Sequence, residues 1–339
     1  LIVAGLPWRE NGKLYNCAAV LCRGEVLGLV PKVNLPNYGE FYERRHFTPA
    51  FEGVRSAWVA GREAPFGAGL LFRCRELPVL CLGVEICEDL WVPAPPSVRL
   101  ALGGATVIAN PSASDETTGK SAYRRTLVCS HSARLLCGYV YADAGAGEST
   151  GDLVFAGHNL IAENGALLAE SRLFARGVIY ADIDVQRLVH ERRRMNTFVT
   201  EQDPMVAALP IQPGTDDLAD RKFPRTPFVP ANKALRDERC EEIITLQATG
   251  LATRLRHTHA KTAVVGLSGG LDSTLALIVL VHAFDMLGLD RKGILAVTMP
   301  CFGTTARTRG NAEKLADAYG VTLQTVDIKA AVDQHFSDI

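Results

Sequence analysis

Residues Gly266-Leu267-Ser268-Gly269-Gly270-Leu271-Asp272-Ser273 bring glycines, hydroxyls and one acid together at a spacing that suits a phosphate. The run Thr262–Leu267 reads as a buried strand, and an apolar helix is expected over Ser273–Leu287. A strand that feeds a glycine loop and then a helix aims backbone N–H groups and a positive helix end at one point. Ser268 and Ser273 add donors, and the paired glycines let a bulky anion approach the main chain. The spacing is not that of a Walker A loop, because no lysine follows the glycines. A second centre lies upstream, where Val84-Glu85-Ile86-Cys87-Glu88-Asp89-Leu90-Trp91 ends a strand with a cysteine. A lone cysteine is most often a packing residue. Here, however, Pro31-Lys32-Val33-Asn34-Leu35-Pro36 ends another strand with Lys32 as its one charge. An ammonium beside a thiol favours the nucleophilic thiolate. With the N–H of the residue after the cysteine, it can also stabilise the oxyanion of a tetrahedral intermediate.

The elements that must position these groups fall into two domains, which 339 residues are long enough to form. A net charge of -1 gives no basic field for nucleic acid, and no apolar stretch reaches membrane-spanning length. The nine cysteines lack C-x-x-C or metal-ligand spacing and read as reduced thiols in a cytoplasmic protein, with Cys17, Cys22, Cys81 and Cys137 in the core. Residues 1–195 mix strands and helices in the manner of a layered α/β sandwich. A hairpin is expected over Asn16–Cys22 and Glu25–Val30 about Arg23-Gly24. Further strands are expected at Val79–Ile86, Ala105–Asn110, Gly138–Ala142, Asn159–Ala162 and Val178–Ile183. Helices are expected over Ser121–Leu136 and Val185–Arg194, and Asn164-Gly165 marks a turn. Periodicity is lost between Asn196 and Pro230, where prolines cluster, so 196–231 reads as a Pro-rich linker or an ordered arm.

Residues 232–339 open with a helix capped by Asn232 and running to about Arg256. Strands at Gly293–Met299 and Val321–Ile328, with a helix over Arg309–Tyr319, complete two β-α-β crossovers. Right-handed crossovers make the sheet parallel and put the glycine loop at its carboxyl end, where such sheets bind ligands. The helix Ser273–Leu287 is apolar around much of its circumference, so it is buried on two sides or at a subunit contact. The chain starts at Leu1 inside a strand (Leu1–Leu6) and stops a few residues into a helix after Lys329, which marks it as a fragment truncated at both ends. Glu191-Arg192-Arg193-Arg194 reads as a solvated helix end, and His257-Thr258-His259 as surface.

The S-G-G-x-D-S run after a strand resembles the PP-loop of the ATP pyrophosphatase superfamily. That resemblance implies ATP cleaved between its α and β phosphates, an adenylated substrate, and AMP displaced by a nitrogen or sulfur nucleophile. The Lys32 and Cys87 segments resemble the nitrilase (carbon–nitrogen hydrolase) superfamily, whose sites use Glu, Lys and Cys. The wider match, from Val30 through Glu43 and from Gly83 through Trp91, looks like the bacterial glutamine-dependent NAD synthetases. By that resemblance the fold is a nitrilase-like α-β-β-α sandwich followed by a PP-loop Rossmann-like domain. Cys87 is the nucleophile, Lys32 assists the oxyanion, and Glu43 is a second acid near the lysine. Tyr38 and Ser114 line a glutamine pocket, and Lys120 falls where a basic residue, commonly Arg, meets the substrate's α-carboxylate. The family's general-base Glu precedes the lysine by more than the 31 residues present here, so the resemblance places it outside this chain. Glu10 and Glu25 sit by turns and do not substitute for it.

Met299-Pro300-Cys301-Phe302-Gly303-Thr304-Thr305-Ala306-Arg307-Thr308 matches the segment near the adenylate, and later ATP and dinucleotide contacts are expected beyond Ile339. The implied substrates are glutamine, deamido-NAD and ATP, with Mg²⁺ balancing phosphate charge and Asp272 helping to place it. A homo-oligomer is expected of the full-length protein, with no nucleic acid or membrane partner. Two other readings stay open: a different PP-loop amidotransferase, and a nucleotide-binding scaffold whose amidase half is inactive.

Overall fold

The computed structural model describes residues 1–149, 151–200, 205–212, 218–219, 221–301 and 306–339, with 306–309 as backbone only. They form two units, Leu1–Lys222 and Phe223–Ile339.

In the first unit, β1 (Ile2–Glu10), β2 (Lys13–Cys22), β3 (Glu25–Pro31), β4 (Arg55–Val59) and β5 (Arg62–Phe66) form a five-stranded sheet, ordered β1-β2-β3-β5-β4. Its hairpins turn on Asn11-Gly12, Arg23-Gly24 and Ala60-Gly61, with φ of 49° and 75°, 51° and 81°, and 50° and 79°. Positive φ at both central residues matches the twist of the flanking strands, and glycine reaches it without strain. A seven-stranded sheet follows, built from β6 (Leu71–Cys74), β7 (Cys81–Val84), β8 (Val107–Ser112), β9 (Gly138–Asp143), β10 (Leu160–Glu163), β11 (Ala166–Glu170) and β12 (Val206–Leu209). Its order is β11-β10-β9-β8-β7-β6-β12, with β7, β8 and β9 parallel.

Alternation along β2 divides its side chains between two cores. Ala18 and Val20 pack with Val30, Phe72, Val84 and Ile86 between the sheets. Tyr15, Cys17 and Ala19 face the other way, where Phe51 and Phe66 stack edge-on against Tyr15. Helices α1 (Pro96–Leu102) and α2 (Lys120–Leu135) cover the outer face of the larger sheet, burying Leu100, Val128 and Leu135 on Ile108, Tyr139 and Leu160. Among the described residues of this unit, the helical cover lies on that sheet.

Three expectations are corrected here. Val178–Ile183 is not a strand: it lies outside both ladders, with Val178 and Tyr180 exposed, while Ile183 packs against the sheet at Gly138. The 196–231 segment is not merely a linker, because β12 pairs in parallel with β6 and Arg221 holds the buried Glu163. Helix α3 (Val185–Arg194) does not end in solvent at every arginine. Arg192 is half-buried and donates to the carbonyls of Leu136, Ala105 and Leu135 at 3.1, 2.6 and 3.0 Å, capping the end of α2.

The second unit runs α4 (Lys233–Thr258), β13 (Ala263–Gly266), α5 (Leu271–Leu287), β14 (Ile294–Thr298), α6 (Ala306–Tyr319), β15 (Thr322–Thr325) and α7 (Lys329–Asp338). The Asn232 side chain accepts from Leu235 N–H and caps α4. The three strands are parallel in the order β13-β14-β15. Helix α5 packs on both α4 and the sheet, burying Leu277, Leu280 and Phe284 against Ala248, Ala252 and Ile294. Among the described residues, no helix is long and apolar enough to cross a membrane.

Candidate active site

Lys32 follows the last residue of β3, and its backbone is pinned by Lys32 N–H to Asn16 O (2.8 Å) and Ala50 N–H to Lys32 O (2.9 Å). Its side chain is only 3% exposed, and Nζ donates to Glu43 Oε2 at 2.5 Å. Asn16 Nδ2 donates to the other oxygen of Glu43 at 2.6 Å. A buried ammonium persists only when paired in this way.

Cys87 opens a 3₁₀ turn (Cys87–Leu90) three residues beyond the end of β7. Its φ of 48° lies in the left-handed region, a costly conformation for a non-glycine residue that tends to cluster at functional sites. Cys87 N–H donates to Asn110 Oδ1 at 2.8 Å. Asp89, buried in the same turn, ties it to the lysine segment. Its carboxylate accepts from Ile86 N–H (3.0 Å), Asn34 N–H (2.7 Å), Asn34 Nδ2 (2.9 Å) and Val33 N–H (3.4 Å). The strand ends carrying Lys32 and Cys87 are thus held together by one carboxylate.

Burial pushes the Cys87 thiol up, and the Lys32 ammonium, the Ser112 hydroxyl and the Ala113 N–H offset only part of that. The resting sulfur is therefore a thiol, so attack requires a proton acceptor. Glu10 and Glu25 are engaged elsewhere, Glu10 with Trp8 and Glu25 with Arg62.

A cleft of about 280 Å³ opens over the thiol, lined by Tyr38, Glu88, Trp91, Ser114 and Lys120 among others. Tyr38 OH donates to Glu88 at 2.6 Å, and that bond, with burial next, pushes the phenol up to about 12. Lys120 donates to Asp115 at 2.6 Å, with its ammonium 5.6 Å from the Trp91 ring and 5.9 Å from Phe41. Ser114 is 3% exposed and is fixed from behind. Its N–H donates to Asp143 at 2.9 Å, and its hydroxyl accepts from Arg124 at 3.4 Å. Arg124 is fully buried and also donates to Glu116 and His158, each at 2.9 Å. The cleft thus brings the Glu88 carboxylate, the Lys120 ammonium and the Cys87 sulfur to one set of walls.

Asp89, Asn110, Arg124 and Asp143 were not among the residues singled out by sequence. Asp89 had a signal, an acid amid the apolar residues that follow Cys87; the other three had none that stands out from an ordinary strand end or helix.

In the second unit, Gly269 has φ +79° and Gly270 precedes α5. Ser268 and Ser273 hydroxyls lie 3.1 Å apart, Ser268 N–H donates to Ser273 Oγ at 3.3 Å, and Thr274 Oγ1 donates to Gly270 O at 2.8 Å. Gly266, Ser268, Gly270, Leu271 and Asp272 are exposed, whereas Leu267 anchors the loop in the core. Asp272 stands in the first turn of α5. Of the segment Met299–Thr308, residues 302–305 lie outside the described residues.

Residues 1–193 match the carbon-nitrogen hydrolase family, and this chain belongs to it. Residues 243–339 match the NAD synthase family. The glutamine-dependent NAD(+) synthetase of Mycobacterium tuberculosis is 46% identical over 339 residues, a match covering 97% of this chain and 50% of that protein. The glutamine-dependent NAD(+) synthetase of Thermotoga maritima is 31% identical over 314 residues, covering 91% of this chain and 48% of that protein. A crystal structure of the corresponding synthetase from Cytophaga hutchinsonii is similar over 98% of this chain and 53% of that one, at 23% identity and a TM-score of 0.47. The chain spans about half the length of the curated relatives it matches.

Proposed function

We propose that this chain supplies the glutamine-hydrolysing domain and the first part of the synthetase domain of a glutamine-dependent NAD synthetase. The observation that carries the reading is the Cys87–Lys32–Glu43 centre and the Ser268–Ser273 loop in one chain that is 46% identical to such enzymes.

On this reading Cys87 Sγ attacks the carboxamide carbon of glutamine. Lys32, with the N–H of Glu88, receives the oxyanion. Collapse of the tetrahedral intermediate breaks the C–N bond, and the leaving nitrogen takes a proton to depart as ammonia. Water then cleaves the thioester to glutamate and restores the thiol. The thiol proton goes to a carboxylate acting as general base, the Glu that the family resemblance calls for. Glu88 faces the α-ammonium of glutamine and Lys120 its α-carboxylate, between the rings of Trp91 and Phe41.

In the synthetase half, a carboxylate oxygen of deamido-NAD attacks the α-phosphorus of ATP and pyrophosphate leaves. Ammonia then displaces AMP from the acyl adenylate to give the amide. The loop's N–H groups, Ser268 and Ser273 hold the departing pyrophosphate. Among the described residues no cluster of His, Cys, Asp and Glu could hold a metal by itself. Mg²⁺ commonly takes one or two carboxylates and completes its shell with phosphate oxygens and water, which the exposed Asp272 fits. Bound there, Mg²⁺ would neutralise phosphate charge. Keeping ammonia away from water would keep it unprotonated.

The test is NAD formation from deamido-NAD and ATP by the full-length protein that carries this chain, with glutamine and ammonium compared as donors. Activity with both is expected, and failure with both overturns the reading. For the present chain alone no useful glutaminase turnover is expected. Glutamate release that Cys87→Ala abolishes would show that the general base is within it.

A further inference from the structure

Behind the nucleophile turn runs a buried line of hydrogen bonds whose direction is set at both ends. At one end Cys87 N–H donates, so the group of Asn110 facing it must be the amide oxygen, at 2.8 Å. The Asn110 NH₂ then points at Tyr139 OH, at 2.9 Å, and the phenol oxygen accepts. The phenol proton is left for Glu85 Oε1, at 2.5 Å. At the other end Ser97 N–H donates to Glu85 Oε2 at 2.8 Å, while Ser97 Oγ meets His131 Nε2 at 2.7 Å. Glu85, Asn110, Tyr139 and Ser97 are each no more than 1% exposed, so water does not substitute for a missing partner. Both hydrogen-bond partners of the Glu85 carboxylate are donors, so in its ionised form both of its oxygens accept.

We infer that Glu85 is a positioning residue for the nucleophile, holding the strained Cys87 turn through Tyr139 and Asn110. The inference rests on Cys87 being the glutaminase nucleophile. The mechanism does not otherwise use Glu85, and burying an acid in a strand end is costly unless something depends on it. The dependence is one of polarity. Glutamine at position 85 has one acceptor and one donor where two acceptors are needed. If its NH₂ faces Tyr139, the phenol must donate to Asn110, whose amide turns and sets NH₂ against Cys87 N–H. If its NH₂ faces Ser97, two donors oppose each other there. Either way the line of bonds that fixes the turn is broken, although size and shape are kept. A compensating exchange restores it. In Glu85→Gln/Asn110→Asp the whole line reverses: the introduced amide gives its NH₂ to the phenol, the phenol donates to the new carboxylate, and that carboxylate still accepts Cys87 N–H.

The experiment measures glutamine hydrolysis by the full-length protein at about pH 8, where the Glu85 carboxyl is largely ionised. Ammonium-supported NAD formation and thermal unfolding serve as controls for folding. Glu85→Gln is expected to lower kcat about tenfold, the effect of one stranded buried donor, with KM for glutamine and the ammonium-supported rate unchanged. The double variant is expected to recover most of the loss, which a packing role for Glu85 would not produce. A double variant no better than Glu85→Gln, or a Glu85→Gln enzyme at the wild-type kcat, overturns the inference. If Glu85→Gln does not fold, Tyr139→Phe is read instead, with the same fall expected and an unchanged kcat overturning the inference. If the wild type uses neither donor, the functional reading fails separately. The same pattern is then sought in the rate at which iodoacetamide alkylates Cys87 in this chain.

Discussion

The two candidate centres are built in opposite ways. Around Cys87 the groups nearest the turn are buried and already wired, Lys32 to Glu43, Ser114 to Asp143 and Asp89 to four donors, while Tyr38 is exposed. Around Ser268 the groups are exposed and bonded mainly to one another, as in the Ser268–Ser273 contact. The first arrangement suits the attack of a thiol on a neutral amide, where charge appears only during reaction and the stabilising groups must be in place beforehand. The second suits a polyanion that arrives with its own charge, and needs only open N–H groups and room for phosphate.

That contrast breaks most sharply at Cys87. Cys87→Ala is expected to abolish both labelling by the glutamine-analogue electrophile diazo-oxo-norleucine and glutamine-supported NAD formation, while leaving the ammonium-supported reaction intact. Mass spectrometry and the two-donor assay read this, and an unlabelled wild-type Cys87 would favour an inactive amidase half. Next in size is Lys32→Met, expected to slow glutamine hydrolysis by at least about a hundredfold through loss of oxyanion stabilisation. It also leaves Glu43, 15% exposed, without its cation, at a stability cost of about 3 kcal/mol by urea denaturation. A preserved unfolding midpoint would mean that the first centre is less tightly wired than its geometry indicates.

The loop should behave more gently. Gly269→Ala forces a side chain into φ +79°, a strain of about 1–2 kcal/mol that the exposed loop relieves by leaving this conformation when ATP is absent, and so is expected to weaken ATP binding by roughly tenfold with little change in melting. Calorimetric titration of the full-length protein with ATP measures it, and unchanged affinity would remove the loop from the nucleotide site.

The smallest effect is a pH dependence confined to the first centre. Burial holds Glu85 up at about 7 against an ordinary 4.5, so between those values the folded chain carries a proton that the unfolded chain lacks. Its contribution to stability is lost as pH rises through 7, by roughly 1 kcal/mol between about pH 6.5 and about pH 8. Asp143, held up at about 6 by burial, acts in the same sense at lower pH. His131, held down at about 4, acts oppositely below its ordinary 6.5, so the clean window lies above that value. The groups facing Glu85 are Tyr139, Ser97 and the Asp89 charge. Denaturation at the two pH values should show the slope in the wild type and its loss in Glu85→Gln; an equal slope in both would place its origin elsewhere.

Much of this was legible from local chemistry. Arg23-Gly24 and Asn164-Gly165 announce turns because few residue pairs accept positive φ, and Asn232 announces a helix start because its side chain meets an orphan N–H. The short strands β4, β5 and β6 went unread: four or five residues with charges among them carry little period. Val178–Ile183 shows the converse, an apolar run that joins neither ladder among the described residues. Strand β12 lies in Pro-rich surroundings that locally read as linker, and only β6 beside it makes it a strand.

By itself the sequence determined which reactive residue types each half brings together. A strand, two glycines and two serines are the parts an anion loop needs, and a cysteine and a lysine at apolar strand ends are the parts a nucleophilic centre needs. Only the tertiary structure decided how the first of these works. Lys32 and Cys87 are 55 residues apart, and what joins them is Asp89, while Asn110 and Tyr139 reach the turn from neighbouring strands. Such bonds depend on strand order and register, and a buried donor takes whichever acceptor the packing brings to it.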